Sequence, residues 1–272
     1  MNFELRNTAI GLMSLLLAAC QVIPEEERLI PVEQEETNRT TLLVEFSGLR
    51  CSNCPLAAEE AHNLLSMYGE NFVVVEMHPA SNTLTQAAAQ YDYTCPASDT
   101  YYIHCGGTSS TPLPTGVMNL ARTDADYFVD YLSWGAAYSQ SAKKMSPVRL
   151  THTVQMDTTN NSLEIEANIF NLSLEAFDVQ YIAWLTEDSI VGMQMMPNGK
   201  TRKDYVHNHV LRDAITDVWG MPLEIPIDGS KSISLSYTLP EKVNPANCNI
   251  VGIVMKDGEV IQAQEYKLKD IE

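Results

Sequence analysis

A Cys-x-x-Cys pair, Cys51 and Cys54, separates a predicted strand from a predicted helix and constrains the fold more than any other feature of the chain. The apolar run at 41–46 before the pair is typical of a buried strand. The segment 55–69 after it begins with proline, carries apolar residues at helical spacing and ends at glycine. A second apolar run follows at 72–78. The order of strand, cysteine pair, helix and strand predicts an α/β domain in this half of the chain.

The position of the cysteine pair before a helix indicates thiol–disulfide chemistry. The positive end of the helix dipole stabilises a thiolate and lowers its pKa, so Cys51 is the candidate attacking thiol. Cys54 is then placed to resolve a mixed disulfide. A structural disulfide between the two cysteines is the alternative. A zinc site needs four ligands, usually from two such pairs, and the sequence contains one pair.

Residues 79–113 form a predicted insertion that contains two further cysteines, Cys95 and Cys105. In an oxidising compartment we expect a disulfide between these two residues that closes the loop. A second thiol pair that exchanges with Cys51 and Cys54 is the alternative.

From about residue 146 the hydrophobic periodicity changes from helical to alternating. Six segments alternate as strands do: 147–156, 162–170, 177–186, 231–239, 249–255 and 260–268. The Asp-Gly pair within 256–259 favours a type I′ hairpin turn. We therefore expect 146–272 to form an antiparallel β-sandwich of immunoglobulin type. Cys248 precedes one of its apolar strands and is predicted to be a buried free thiol.

The segment 204–220 contains two histidines, His207 and His209, which would share one face of a strand. Asp204 and Asp213 are the nearby candidates for further metal ligands. Two imidazoles alone make a weak metal site. We therefore expect a structural role for the histidines, and we predict neither a metal ion nor a cofactor.

The first forty residues are typical of an export signal followed by a tether. Residues 1–19 contain an apolar run of twelve residues, too short to cross about 30 Å of hydrocarbon but suited to a signal peptide. The run ends in Leu-Ala-Ala-Cys, which resembles a bacterial lipobox and implies cleavage before Cys20 and lipid attachment to its sulfur. Residues 20–40 then form an acidic, solvated tether. The lipid makes a membrane the expected partner.

The charge balance excludes one class of partner. Acidic residues outnumber basic ones 35 to 17, which gives a formal net charge of −18. Nucleic acid is therefore not expected to bind, since no excess of lysine and arginine is present to replace phosphate counterions. The sequence leaves the oligomeric state open.

The segment 41–145 resembles the thioredoxin superfamily. Glu45 stands six residues before the cysteine pair, where thioredoxins carry a buried acid that assists proton transfer. Pro114 matches the cis-proline loop of the family, so the resemblance implies a cis Leu113–Pro114 bond beside the cysteine pair. The chain departs from the family in its Ser-Asn dipeptide, in the lack of a tryptophan before the pair, and in its long insertion.

The chain as a whole resembles the 28-kDa outer membrane protein family of Bacteroidetes. The likeness rests on the lipobox and on the segments VEFSGLRCSNCPLAAE, PTGVMN, LTEDSIVGMQ and DYVHNHVLRDAITDVWG. The family implies a lipoprotein of the outer membrane, with surface exposure as one option. It also implies a thioredoxin-like domain, here 41–145, followed by an immunoglobulin-like domain, here 146–272.

Two functions are consistent with the sequence. In the first, the chain is a surface binding, adhesion or envelope protein, and its cysteine pair is a stable disulfide. In the second, it is a thiol–disulfide oxidoreductase that acts on exported proteins or peptides. In that case Cys51 attacks and Cys54 resolves, while Glu45 relays protons and Pro114 shapes the substrate groove.

Overall fold

Fifteen strands and three α-helices form the part of the chain that the computed structural model describes, residues 37–85, 91–123 and 126–268. The helices are α1 (Cys54–Tyr68), α2 (Pro96–His104) and α3 (Trp134–Ser141). The strands are β1 (Thr37–Asn38), β2 (Thr41–Phe46), β3 (Phe72–Met77), β4 (Thr115–Met118), β5 (Met145–Ser146), β6 (Val148–Asp157), β7 (Ser162–Asn171), β8 (Phe177–Glu187), β9 (Ile190–Met195), β10 (Thr201–His207), β11 (Val210–Ala214), β12 (Met221–Ile225), β13 (Ser230–Thr238), β14 (Cys248–Lys256) and β15 (Glu259–Lys267). Strands dominate a mixed α and β fold, which confirms the mixed class predicted from the sequence.

The predicted signal peptide, the predicted lipidation site Cys20 and residues 20–36 of the predicted tether lie outside the described residues. The prediction of a solvated tether is wrong for its last four residues, because β1 pairs with β5 and both Arg39 and Thr40 are buried.

An eight-stranded sheet is the central element of the described residues. Seven strands follow the order β15-β14-β8-β11-β3-β2-β4, and β12 pairs with β8. Strands β2 and β3 are parallel and buried along their whole length. Parallel strands that are covered on both faces have near-continuous apolar sequences, as these two do. The sheet contains strands from both sides of residue 146, and residues 34–272 form one compact unit.

The three helices cover the two faces of β2 and β3. Helices α1 and α3 share one core with alternate residues of these strands, including Leu43, Ala57, Leu64, Phe72, Val74 and Trp134. Helix α2 contributes Tyr101 and Tyr102 to a second core. This second core also contains Leu42 and Val44 of β2, Trp184 of β8 and Ile253 of β14. The buried cores therefore continue from the first half of the chain into the second.

A three-stranded sheet, in the order β13-β7-β6, packs against the other face of β8 and β14. The six segments with alternating periodicity correspond to β6, β7, β8, β13, β14 and β15, as predicted. The turn between β14 and β15 has positive φ at both Asp257 (52°) and Gly258 (82°). These angles are the ones that a type I′ turn requires, which explains the Asp-Gly pair.

The expected disulfide between Cys95 and Cys105 is wrong, since both residues are buried free thiols. Helix α2 separates them, with Cys95 at its N-cap and Cys105 at its C-cap. Cys95 and Cys105 are ten positions apart along this helix, which places their Cα atoms about 15 Å apart at 1.5 Å per residue, whereas a disulfide needs less than about 7 Å. Burial raises the pKa of both thiols, that of Cys105 to about 12, so neither is an activated nucleophile. The prediction of a buried free thiol at Cys248 is confirmed.

Candidate functional site

Cys51 and Cys54 form a disulfide at the N-terminus of α1, with their Cα atoms 5.4 Å apart. Helix α1 begins at Cys54, and Pro55 occupies its first turn, where a missing N–H is harmless. The backbone N–H of Cys54 donates a hydrogen bond to Sγ of Cys51 at 3.1 Å. The predicted placement of the pair between strand and helix is confirmed.

Both cysteines are buried, and each exposes only 2% of its surface. The β9–β10 hairpin, residues 190–207, is hydrogen-bonded to the loop that carries them. Gln194 donates from Nε2 to the carbonyl oxygen of Cys51 at 2.8 Å and to that of Gly48 at 3.2 Å. The backbone N–H of Met195 donates to the carbonyl oxygen of Leu49 at 2.9 Å. These three hydrogen bonds attach the hairpin to the backbone of the loop that carries the disulfide.

Gly48 allows the cysteine loop to pack closely against the segment before the insertion. A Cβ atom at this position would lie 2.6 Å from the carbonyl oxygen of Leu84. That same oxygen accepts a hydrogen bond from the N–H of Arg50 at 2.9 Å. The loop is therefore held on two sides, by residues 82–85 and by the hairpin.

The Leu113–Pro114 peptide bond is cis, as the resemblance to thioredoxins implied. Strand β4 begins at the next residue, Thr115, and pairs with β2. Leu113 belongs to the same buried core as Cys51 and Cys54.

Glu45 is buried in β2, with 2% of its surface exposed. It is in register with Glu76 on the neighbouring parallel strand β3. Burial and the charge of Glu76 raise the pKa of Glu45 well above its ordinary range. Its Oε1 atom is buried without a hydrogen-bond partner. This is the environment of an acid that can hold a proton near neutral pH.

Glu76, His78 and His207 meet in a buried polar cluster beside Glu45. Nε2 of His78 lies 3.0 Å from Oε1 of Glu76, and the ring centroids of His78 and His207 are 6.1 Å apart. One potential ligand atom from each of the three residues lies within 4.8 Å of the others. Their exposed fractions are 6%, 1% and 2%.

Electrostatics fix the charge of two members of the cluster at neutral pH. Burial alone would raise the pKa of Glu76, but His78, His207 and a hydrogen bond from Ser47 together lower it to about 2. Burial lowers the pKa of His207 to about 4, against the attraction of Glu76. Glu76 is therefore an anion, and His207 is a neutral imidazole with a lone pair to donate.

His207 and His209 do not share a strand face, contrary to the expectation from their spacing. Strand β10 ends at His207, and His209 has a positive φ of 60°, which turns the chain before β11 begins. The Nδ1 atom of His209 lies 3.4 Å from a carboxylate oxygen of Asp188. Asp204 is exposed and pairs with Arg202, so it does not join either histidine.

Two cavities are lined in part by His209. One, of about 230 Å³, is lined by Glu45, Glu76 and His207 and by Pro55 and Glu59 of α1. The other is a groove of about 820 Å³. Its lining is largely polar and includes Asn38, Thr40, His62, Glu70, Arg149, His209, Gln264 and Lys267.

Sequence reasoning did not identify Glu76, His78 or Gln194 as site residues. A signal for the first two was present, because a glutamate and a histidine end the otherwise apolar run 72–78. Polar residues in a fully buried strand need partners. No comparable signal marked Gln194, whose role depends on the position of the hairpin.

Comparison with known proteins identifies the family. The model of the family described as "Outer membrane protein Omp28" matches residues 100–271, more than half of the chain. No curated protein matches the chain. Among the described residues, no helix has both the length and the apolar character needed to cross a bilayer.

Solved structures share the fold at low sequence identity. HBP35 of Porphyromonas gingivalis is similar with a TM-score of 0.67 and 17% identity, over 86% of this chain and 77% of that chain. Protein AGR_C_4864 from Agrobacterium tumefaciens is similar with a TM-score of 0.54 and 12% identity, over 87% of this chain and 97% of that chain. The family match confirms the predicted outer-membrane location. The chain belongs to the outer membrane protein Omp28 family.

Proposed function

We propose that this chain is a lipid-anchored binding protein of the outer membrane, and that its Cys51–Cys54 bond is structural. The observation that carries this proposal is the burial of both cysteines, each of which exposes only 2% of its surface. A catalytic disulfide exchanges with a substrate thiol, which requires access to a sulfur atom. A structural disulfide has no such requirement.

The anchor in this proposal is Cys20, the residue that ends the lipobox. A lipid on its sulfur would hold the described residues at the membrane through the acidic tether 20–40. The family's outer-membrane location supports this arrangement.

We further propose that 41–145 is a thioredoxin-like region and 146–272 an immunoglobulin-like one. The disulfide at the start of α1 and the cis bond at Pro114 support the first assignment. The packing of the β13-β7-β6 sheet against β8 and β14 supports the second. The two regions share the eight-stranded sheet.

The polar groove of about 820 Å³ is the place where we propose that a ligand binds. Its volume lies in the range of small-ligand and peptide sites, roughly 300–1,000 Å³. Cationic groups such as Arg149 and Lys267 and anionic groups such as Glu70 line it together. A lining of mixed charge suits a polar ligand such as an exported peptide better than an apolar one.

Thiol–disulfide exchange is the second candidate function, and one observation favours it. The N–H of Cys54 points at Sγ of Cys51, which would stabilise a Cys51 thiolate after reduction. Glu45, with its raised pKa, would supply or accept the proton. This function requires one of the two buried sulfur atoms to become exposed.

The reduction potential of the Cys51–Cys54 pair distinguishes the two functions. The protein is equilibrated in glutathione buffers and alkylated, and mass spectrometry then follows the peptide that contains both cysteines. We expect a potential below about −300 mV and no alkylation of Cys51 in the native protein. Cys248, buried elsewhere, is the internal control, because its alkylation reports unfolding. A potential between about −270 and −120 mV with a reactive Cys51 would establish the oxidoreductase instead.

A further inference from the structure

We propose that Glu76, His78 and His207 form a binding site for a divalent transition-metal ion of the zinc type. The three residues come from two separate elements, the end of β3 and the end of β10. Glu76 and His78 are two residues apart on extended backbone, so their side chains point to the same side. The hairpin brings His207 to that side, with one potential ligand atom from each residue inside 4.8 Å.

The surroundings of the cluster favour a bound cation, because they contain a buried polar atom that has no hydrogen-bond partner. Oε1 of Glu45, which lines the same cavity as Glu76 and His207, is buried without a hydrogen-bond partner. Nearly all buried polar groups in proteins have a hydrogen-bond partner or bind an ion. A bound ion would therefore explain this atom. A divalent cation would also balance the charge of Glu76, with which Glu45 is in register on the neighbouring strand.

The set of two imidazoles and one carboxylate matches a ligand set that zinc uses in proteins. Bonds of about 2.0–2.1 Å in a tetrahedron place ligand atoms roughly 3.3 Å apart. The His78–Glu76 distance of 3.0 Å is already close to that value, and small side-chain rotations would bring His207 in. Water or Glu45 would complete the coordination.

An entry path for the ion is present. The cavity of about 230 Å³ is lined by both Glu76 and His207 and extends along the first turns of α1. A hydrated ion can reach the cluster through this cavity without separation of the sheet. The site therefore meets the requirements of ligand identity, proximity and access.

The test is metal binding by the full-length chain, purified in detergent and freed of metal with a chelator. Calorimetric titration with Zn²⁺ should show one ion per chain, and elemental analysis should give the same ratio. Co²⁺ as a spectroscopic probe should show the visible absorption of a tetrahedral site with nitrogen and oxygen ligands. No Zn²⁺ uptake by the wild-type chain, or a Co²⁺ spectrum with thiolate charge-transfer bands, would overturn the proposal.

Matched variants locate the ion. His207→Gln should weaken Zn²⁺ binding at least about 100-fold, since even residues that only support a metal ligand contribute 10–100-fold. His209→Gln is the control, because His209 lines the same cavity without belonging to the cluster. Its affinity should stay within about twofold of wild type. Equal affinity of the His207→Gln variant and wild type would show that the ion binds elsewhere and would refute the site. If a variant does not fold, the Co²⁺ spectrum of the wild-type chain still distinguishes a site with nitrogen and oxygen ligands from one with thiolate ligands.

Discussion

Gly116 lies where the core that α1 and α3 share with β2 and β3 leaves no space for a side chain. It lies on β4, and a Cβ atom there would approach Nε1 of Trp134 to 2.5 Å and Cδ1 of Leu43 to 2.8 Å. Trp134 is fully buried, and its Nε1 donates to the carbonyl oxygen of Val129 at 3.0 Å. The indole ring therefore lies directly on the backbone of β4.

Gly116→Ala should destabilise the protein, because a side chain at this position must displace a fully buried ring. The expected loss in the free energy of unfolding is about 1–3 kcal/mol, the usual cost of overpacking a core. Urea denaturation followed by tryptophan fluorescence measures it.

Gly135→Ala is the matched control, because Gly135 lies in α3 and a Cβ atom there would meet Leu64 at an ordinary 3.7 Å. Alanine is a better helix former than glycine by about 1 kcal/mol, so this change should stabilise the protein or leave it unchanged. Equal stability of the two variants would contradict the packing argument.

The β9–β10 hairpin acts at the scale of an element, because its hydrogen bonds hold the loop that carries the disulfide, and we expect it to limit access to the sulfur atoms. Gln194→Ala removes two hydrogen bonds between the hairpin and the cysteine loop, each worth about 1 kcal/mol. Opening of the hairpin should become easier by about 2 kcal/mol, and reduction of the disulfide by dithiothreitol should become faster by up to about 30-fold.

Gln155→Ala serves as the control for this experiment, because Gln155 is exposed on β6. Its reduction rate should match that of the wild-type protein. A Gln194→Ala variant that is reduced no faster than this control would show that the hairpin does not limit access to the disulfide.

Local patterns predicted the elements well, because the forces that fix them act between near neighbours. The Asp257–Gly258 turn follows from backbone sterics, and the alternation along β6 and β7 follows from a sheet with one covered face. The start of α1 at Cys54 follows from Pro55, which suits the first turn of a helix. Each of these features depends on a few neighbouring residues, so it can be predicted from the local sequence.

Features that depend on distant segments were not predicted. The helix between Cys95 and Cys105 excludes the disulfide that their spacing suggested, and its weak amphipathic pattern gave no warning. His207 and His78 are far apart in sequence and meet only because β11 places the β9–β10 hairpin next to β3. The insertion of β11 between β3 and β8 is a tertiary pairing that no local pattern encodes.

At the scale of the whole molecule, the shared sheet should make the two halves unfold together. One buried core contains Val44 and Tyr101 from the first half and Trp184 and Val251 from the second. Separation of the halves would expose these side chains, at about 25 cal/mol for each Å² of apolar surface. We therefore expect one cooperative thermal transition for the protein.

Separate expression of residues 41–145 and 146–272 tests this expectation. Each fragment should lack the near-ultraviolet circular dichroism of fixed aromatic side chains. A mixture of the two should recover it if the shared core forms. A sharp thermal transition in either fragment alone would show that the sheet joins two independently stable units.

The position of β2 in the sheet determines how the protein would bear mechanical load. The chain from the proposed anchor passes through the short strand β1, which is paired with β5 at only two positions, and then enters β2. Strand β2 lies between β3 and β4 and is paired at six positions with β3 and at four with β4. Tension from an anchored N-terminus would act along the strand and load these backbone hydrogen bonds in shear, all at once. A hairpin at the sheet edge would instead unzip one bond at a time. A ligand that pulls on the protein in flow would therefore strain the most resistant part of its sheet.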